Sequence, residues 1–101
     1  MEEIKDPPLI TACRIGDECR VKTLLEKGEE INVTGLSGTT PLTEACKGNN
    51  EAIVKLLIEN GADVNKKNNY GNAPLIIACM HDKENYVKLL TEHGADIDQE
   101  N

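Results

Sequence analysis

Apolar residues recur along the chain in short segments that are separated by glycine, proline and asparagine. In the middle of the chain, residues 41–47 place their apolar side chains on one face of a short helix, and residues 51–60 repeat this pattern with a period of 3.6 residues. We therefore predict two helices, one over 41–47 and one over 51–60. The side chains predicted to face inward are Leu42, Ala45, Cys46, Ile53, Val54, Leu56 and Leu57.

Local signals mark where these two helices begin and end. Thr40 precedes Pro41, as an N-cap precedes a proline at the first helical position. Asn49 is predicted to end the first helix in a left-handed conformation, because Gly16 occupies the equivalent place in the first part of the chain. Gly61 ends the second helix. An extended segment then leads to a turn at residues 68–71.

The same pattern occurs three times at an interval of 33 residues, over 2–34, 35–67 and 68–101. Ten of the 33 positions carry the same residue in all three copies. In the first copy these are Pro8, Leu9, Ala12, Cys13, Glu18, Val21, Lys22, Leu24, Glu26 and Gly28. Because a helix this short is not stable alone in water, we predict that the copies stack into one all-α domain over residues 1–101.

The chain contains no Trp, no Phe and two Tyr, so its core must be built from aliphatic residues and small ones. Stacked repeats make only local contacts, for which Leu, Ala and Cys suffice. Of the two tyrosines, Tyr86 falls at a core position of a second helix and Tyr70 falls at the tip of a loop.

Five segments of the middle copy together resemble the ankyrin repeat: 40–42 (Thr-Pro-Leu), 45–46, 53–54, 56–57 and 61–65 (Gly-Ala-Asp-Val-Asn). The third copy resembles it through Gly94-Ala95-Asp96-Ile97, and the first copy more loosely. The resemblance implies an all-α ankyrin-repeat solenoid of helix-turn-helix units joined by hairpin-like loops. It also implies a protein-binding module without catalysis.

The chain departs from the family pattern at three places. The histidine that usually follows Thr-Pro-Leu is replaced by Ile10, Thr43 and Ile76, so we expect its hydrogen bond to be absent. Glu44 stands where the family usually has Leu. Gly35 and Asn68 replace the usual Asp at the start of the hairpin, which predicts weaker capping there.

The two ends of the stack differ in polarity. In repeat one, Arg20 and Thr23 replace apolar residues, as is typical of an N-terminal capping repeat. Repeat three keeps its apolar residues, namely Ile76, Ile77, Tyr86 and Leu89. We infer either that the chain is the N-terminal part of a longer array, or that repeat three pairs with something. We expect either a monomer or weak self-association through repeat three.

Charge and hydropathy exclude several classes of function. The net charge of −7 disfavours binding to nucleic acid. The chain has no run of 18 apolar residues, so no membrane span is predicted. The N-terminus lacks the features of a secretory signal, so we expect free thiols and a cytoplasmic or nuclear location. The acidic excess either keeps the protein soluble or attracts a basic partner.

Cysteine and histidine offer the candidate chemistry. Cys13, Cys46 and Cys79 recur at a spacing that fits neither a disulfide nor a zinc site, so we predict buried core residues, with Cys19 exposed. His81 and His93 could pair on a metal or act as acid and base. No nucleophile is adjacent in sequence and no glycine-rich phosphate loop is present, so we predict no catalytic residue, metal or cofactor.

The resemblance implies that a partner contacts the loop tips and the exposed face of the first helices. By position, these residues are Arg14, Ile15, Leu36, Ser37, Thr39, Lys47, Asn69, Tyr70, Asn72, Met80, His81 and His93. Four of them are apolar where solvent is expected: Ile15, Leu36, Tyr70 and Met80. They either form one binding patch, with Tyr70 as its anchor, or each packs on its neighbouring loop.

Two functions follow as hypotheses. The first is recognition of an intracellular protein or peptide, and the second is a structural capping or spacer role in a longer ankyrin array. The resemblance also implies that Asn65, and less well Asn32, is a substrate for an asparaginyl hydroxylase.

Overall fold

The computed structural model describes residues 6–95, which form six α-helices and no β-strand. A short 3-10 turn, Leu36–Gly38, lies in the loop between the second and third helices. The helices are α1 (Pro8–Ile15), α2 (Glu18–Glu26), α3 (Pro41–Ala45), α4 (Glu51–Glu59), α5 (Pro74–Met80) and α6 (Glu84–Glu92).

The helices pack as three antiparallel pairs in two rows. The paired helices α1 and α2, α3 and α4, and α5 and α6 contact each other. Helices α1, α3 and α5 form an inner row, and α2, α4 and α6 form an outer row, because each contacts the next member of its own row. The predicted all-α solenoid is confirmed. The repeat boundaries stay a prediction, since residues 1–5 and 96–101 lie outside the described residues.

The core is aliphatic, as the composition requires. Six of the seven inward residues predicted for the middle repeat are buried, and Leu56 is half-buried. Tyr86 is buried among them, and its hydroxyl donates a hydrogen bond of 2.9 Å to the carbonyl oxygen of Gly48 in the preceding repeat. One ring therefore fills the junction between repeats two and three and satisfies a turn carbonyl.

A reciprocal pair of hydrogen bonds caps the start of α3. Thr40 accepts from the N–H of Thr43 at 3.1 Å, which confirms the predicted N-cap. The Thr43 hydroxyl accepts from the N–H of Thr40 at 2.7 Å. Thr43, which stands where the family usually has histidine, thus makes a capping hydrogen bond of its own, because a threonine hydroxyl can both donate and accept.

Two predicted helix ends differ from the structure. Helix α3 ends at Ala45 because the N–H groups of Lys47 and Gly48 bond three residues back and tighten the last turn. Asn49 is not left-handed, whereas its equivalents Gly16 and Asp82 are, with φ of 79° and 56°. The early end of α3 leads the chain into its turn before Asn49 is reached. Gly61 is left-handed, with φ of 94°, as predicted.

The loops after α2 and α4 fold back as hairpin-like turns. The N–H of Asn68 bonds to the carbonyl of Asn72 at 3.0 Å, and the Asn68 side chain accepts from the N–H groups of Tyr70 and Asn72. Asn68 therefore caps its turn as an aspartate does. In the first loop, Gly35 has no such side chain, and Asp6 accepts from the N–H of Leu36 instead, at 2.6 Å. Both turns therefore keep a side-chain cap, and its weakening relative to aspartate stays a prediction.

Substituting Gly35 by alanine is expected to lower the free energy of unfolding by about 1–3 kcal/mol. A Cβ at this position would overlap the Asp6 carboxylate and approach Ile10 Cδ1 to 2.9 Å, so Asp6 would have to leave its site. Urea unfolding followed by circular dichroism measures the change. Gly48→Ala is the matched control, because its Cβ would meet nothing closer than 3.7 Å. Equal effects of the two substitutions would contradict the assigned role of Asp6.

The two ends of the stack differ as the sequence indicates, with one exception. Arg20 and Thr23 of repeat one are exposed, as a terminal repeat requires. Cys46 is fully buried, but its equivalent Cys79 is exposed, which corrects the prediction for Cys79. Within residues 6–95, α3 and α6 are the helices that make the main contacts with α5.

No helix in the described part of the chain is both long enough and apolar enough to cross a membrane.

Candidate functional site

A groove of about 770 Å³ lies between the inner helices and the two hairpin-like loops. The loops approach each other directly, because the N–H of Asn69 donates to the carbonyl of Ser37 at 2.8 Å. Nine of the predicted contact residues line the groove: Arg14, Leu36, Ser37, Thr39, Lys47, Tyr70, Asn72, Met80 and His81. The other lining residues are Asp6, Glu44, Asn68 and Ile77.

The large apolar side chains exposed among residues 6–95 are the four that the sequence singles out. Ile15 is 67% exposed, Leu36 50%, Tyr70 72% and Met80 63%. Leu36, Tyr70 and Met80 line the groove, and we call these three the apolar patch. Ile15 instead lines a smaller cavity of about 260 Å³ between the ends of α1 and α3.

Thr39 and His93 differ in their surroundings from the exposed candidate residues of the groove. Thr39 is buried, and its hydroxyl donates to Glu44 Oε2 at 2.8 Å, so it supports the groove from beneath. His93 is outside the groove, with Nδ1 2.9 Å from the carbonyl oxygen of Leu89 in its own helix. The contact role of the predicted residues, including Asn69 and His93, stays a prediction.

A cluster of four charged side chains occupies one end of the groove. Glu44 has an 8% exposed side chain, and its Oε1 accepts from Arg14 Nε at 3.1 Å. Its Oε2 lies 3.6 Å from Lys47 Nζ. Arg14 Nη2 also donates to Asp6, whose side chain is 5% exposed. We call Asp6, Arg14, Glu44 and Lys47 the charged cluster.

The contacts of the charged cluster lower the pKa of both carboxyl groups. Hydrogen bonds from Arg14 and from the N–H of Leu36 lower the pKa of Asp6 below its usual 3.8. Burial acts to raise the pKa of Glu44, but hydrogen bonds from Thr39 and Arg14, with the charge of Lys47, outweigh it and lower the pKa below 4.5. Both groups are therefore ionised near neutral pH.

These shifts predict a loss of stability in acid. A carboxyl whose pKa is lower in the folded state stabilises the fold above its unfolded pKa, and this contribution is lost as the pH falls through the folded value. For Glu44 the loss is expected to begin near pH 4.5 and to continue below it. Urea unfolding of wild type and of Glu44→Gln from pH 7 to pH 3 measures it. The difference between them should shrink below pH 4.5, and a constant difference would contradict the assignment.

Comparison with protein families matches residues 5–101 to the model for ankyrin repeats in three copies. The chain belongs to the ankyrin repeat family. Comparison with curated proteins gave no match. Ankyrin repeats are generally protein–protein interaction modules, which is consistent with an exposed groove lined by loops and inner helices.

Within this ankyrin-repeat chain, sequence reasoning missed Asp6 and the contacts of Glu44. Two signals could have indicated them. Glu44 stands at an apolar position of the family, and a buried carboxylate requires partners. Gly35 stands where an aspartate usually caps the hairpin, so another carboxylate could have been expected to replace it. Asp6 is 30 residues from Leu36 in sequence, and no local pattern links the two.

The histidine and cysteine side chains considered for metal binding or catalysis do not lie together in these ankyrin repeats. Among residues 6–95, no group of three His, Cys, Asp or Glu side chains is placed to hold a metal ion. His81 lines the groove and His93 does not, so the two histidines do not share it. The four cysteines form no disulfide, and burial raises the pKa of the Cys46 thiol to about 12, which keeps it unreactive.

Asn65, the predicted hydroxylation site, lies where successive ankyrin repeats meet. Its Nδ2 donates to the carbonyl of Gly94 at 3.3 Å, and its N–H bonds to Asp63 at 2.9 Å. The equivalent Asn32 accepts from the N–H of Asp63 at 2.8 Å. Both asparagines thus connect a repeat to the next one. Hydroxylation of Asn65 stays a prediction, tested by a mass increase after incubation with an asparaginyl hydroxylase.

Proposed function

We propose that this chain is a recognition module that binds an intracellular protein or peptide in the groove, and that it performs no catalysis of its own. The observation that carries the proposal is the exposure of the apolar patch. Leu36 comes from the first hairpin-like loop, Tyr70 from the second and Met80 from α5, and each is at least half exposed to solvent while lining the same groove. Exposed apolar side chains gathered in one concavity are typical of a binding surface.

Tyr70 is the proposed anchor of the interaction. It is the most exposed member of the patch, and its hydroxyl lies 3.5 Å from Ser37 Oγ on the neighbouring loop. A tyrosine presents a large rigid surface with a polar end, and tyrosines are enriched among residues that dominate binding energy. The turn bonds made by Asn68 hold the backbone of Tyr70 in place before a partner arrives.

The proposed partner is in the cytoplasm or the nucleus. The support is the state of the four cysteines, which are all free thiols, as is usual in a reducing compartment. Nucleic acid and membrane surfaces are not proposed as partners, because the net charge is −7. Weak self-association through repeat three stays a prediction, which light scattering at high protein concentration tests.

A comparative pull-down tests the proposal. The immobilised chain is compared with the triple variant Leu36→Ser, Tyr70→Ala, Met80→Ala, and with Tyr70→Ala alone. The matched control is the triple variant Lys22→Ala, Lys55→Ala, Lys88→Ala, which changes three exposed side chains on the outer helices. All proteins are first shown to have the same helicity by circular dichroism.

We expect the captured partner to bind Tyr70→Ala about 30-fold more weakly, which corresponds to the loss of one dominant contact. The control variant is expected to bind as wild type does. Full retention of the partner by the groove variant would reject the proposal. That outcome would favour the alternative, a structural segment of a larger ankyrin array.

A further inference from the structure

The groove has a charged end and an apolar end because the residue at one equivalent position of the repeats changes from charged to apolar along the stack. Arg14, Lys47 and Met80 are equivalent residues at intervals of 33. Arg14 lies on α1, Lys47 lies two residues after the end of α3, and Met80 is the last residue of α5. The first two belong to the charged cluster, and the third belongs to the apolar patch. Adjacent packed helices lie about 8–10 Å apart, so each step along the groove has this length.

At the charged end, the cations retain hydrogen-bonding capacity and the carboxylates do not face outward. The Asp6 and Glu44 side chains are 5% and 8% exposed, and each of their four oxygens has a contact within the protein. Arg14 and Lys47 are 45% and 43% exposed. A guanidinium has five N–H donors and an ammonium has three, so both have donors left for a ligand.

At the apolar end, one polar atom has no partner. Asn72 Oδ1 is buried at the groove, and no donor reaches it. Ile77 forms part of the adjacent lining, with Tyr70 and Met80 exposed beside it. The exposed side chains of Tyr70 and Met80 therefore present apolar surface to a ligand at this end.

We propose that the groove binds an extended segment of a partner chain that carries a carboxylate close to a large apolar side chain. The carboxylate contacts Arg14 and Lys47, and the apolar side chain packs on Tyr70 and Met80. This inference rests on the proposed function, because it requires the groove to be the binding face. The charged cluster contains two positive and two negative groups, so its net charge is zero. A partner's carboxylate meets the exposed donors of Arg14 and Lys47 rather than the buried carboxylates. The repulsion from acidic side chains more than about 8 Å away is largely screened in physiological salt.

The spacing of the two features in the partner follows from the stack. Lys47 follows α3 and Met80 ends α5. Neighbouring packed helices lie about 8–10 Å apart, so we take about 10 Å as the step between these two positions, and an extended chain rises about 3.3 Å per residue. The acidic residue and the apolar residue are therefore expected two to four positions apart.

Selection of a displayed library of random dodecapeptides on the wild-type chain tests this inference. We expect the enriched peptides to carry Asp or Glu two to four positions from Leu, Met, Phe, Tyr or Trp. The consensus peptide is then synthesised, with a second version in which Asn or Gln replaces the acidic residue. Both are measured by fluorescence anisotropy against wild type, Lys47→Gln, Tyr70→Ala and the control Lys55→Gln on the outer helix α4.

Lys47→Gln is expected to weaken the acidic peptide about two- to fivefold and to leave the neutral peptide unchanged, as for one partly exposed ion pair. Lys55→Gln should change neither. Enriched peptides without an acidic residue at this spacing, or no enrichment at all, would overturn the inference. If enriched peptides that lack the acidic residue still bind Tyr70→Ala more weakly than wild type, the proposed function stands. Binding that is insensitive to Tyr70→Ala would reject both.

Discussion

Tyr86→Ala is expected to lower the free energy of unfolding by about 3–5 kcal/mol, the usual cost of removing a large buried ring. Tyr86 is the largest of the fully buried side chains, and it links repeats two and three through its bond to Gly48. Urea unfolding followed by circular dichroism measures the loss. If the alanine variant does not fold, Tyr86→Phe isolates the hydrogen bond, at about 1 kcal/mol.

The other tyrosine provides the control. Tyr70 is 72% exposed, so Tyr70→Ala should change the free energy of unfolding by less than about 0.5 kcal/mol. The two aromatic residues are thus expected to separate stability from binding. A large loss of stability in Tyr70→Ala, or none in Tyr86→Ala, would contradict the assigned core.

Arg14→Ala is expected to lower the free energy of unfolding by about 2 kcal/mol. Removing one partner of a buried ion pair costs about 3–5 kcal/mol because a charge is left unpaired. The expected cost is lower here, since Glu44 keeps Thr39 and Lys47, and Arg14 is 45% exposed. Thermal and urea unfolding at pH 7 measure the change.

Glu44→Leu shows whether the unpaired Glu44 carboxylate causes the loss of stability expected in Arg14→Ala. It restores the residue that the family usually has at this position, and we expect its stability to lie within about 1 kcal/mol of wild type, or above it. In the Glu44→Leu background, Arg14→Ala should cost less than in wild type. Equal costs in the two backgrounds would show that Arg14 does not act through Glu44.

The sequence predicts the features of this chain that repeat. The 33-residue interval carries helix positions, caps and core residues together, so three copies reinforce each prediction. The placement of Tyr86 in the core and of Tyr70 at a loop tip follows from the same register. The exposure of Ile15, Leu36, Tyr70 and Met80 could be predicted because apolar residues stand at positions that face solvent in the repeat.

Features that join different repeats through side chains could not be predicted. Asp6 and Arg14 reach Leu36 and Glu44 in the next repeat, about 30 residues away, and these contacts depend on side-chain directions that no local pattern gives. The exposure of Cys79 could not be predicted either, because burial at that position depends on which side chains pack against α5. Chemistry that varies from repeat to repeat therefore requires the structure.

Binding through the groove is tested most directly by NMR spectra of the ¹⁵N-labelled chain, titrated with the protein captured in the pull-down. We expect the largest shifts at the backbone amides of Leu36, Tyr70 and Met80, with little change on α2, α4 and α6. Shifts confined to those outer helices, with the groove unaffected, would contradict the account.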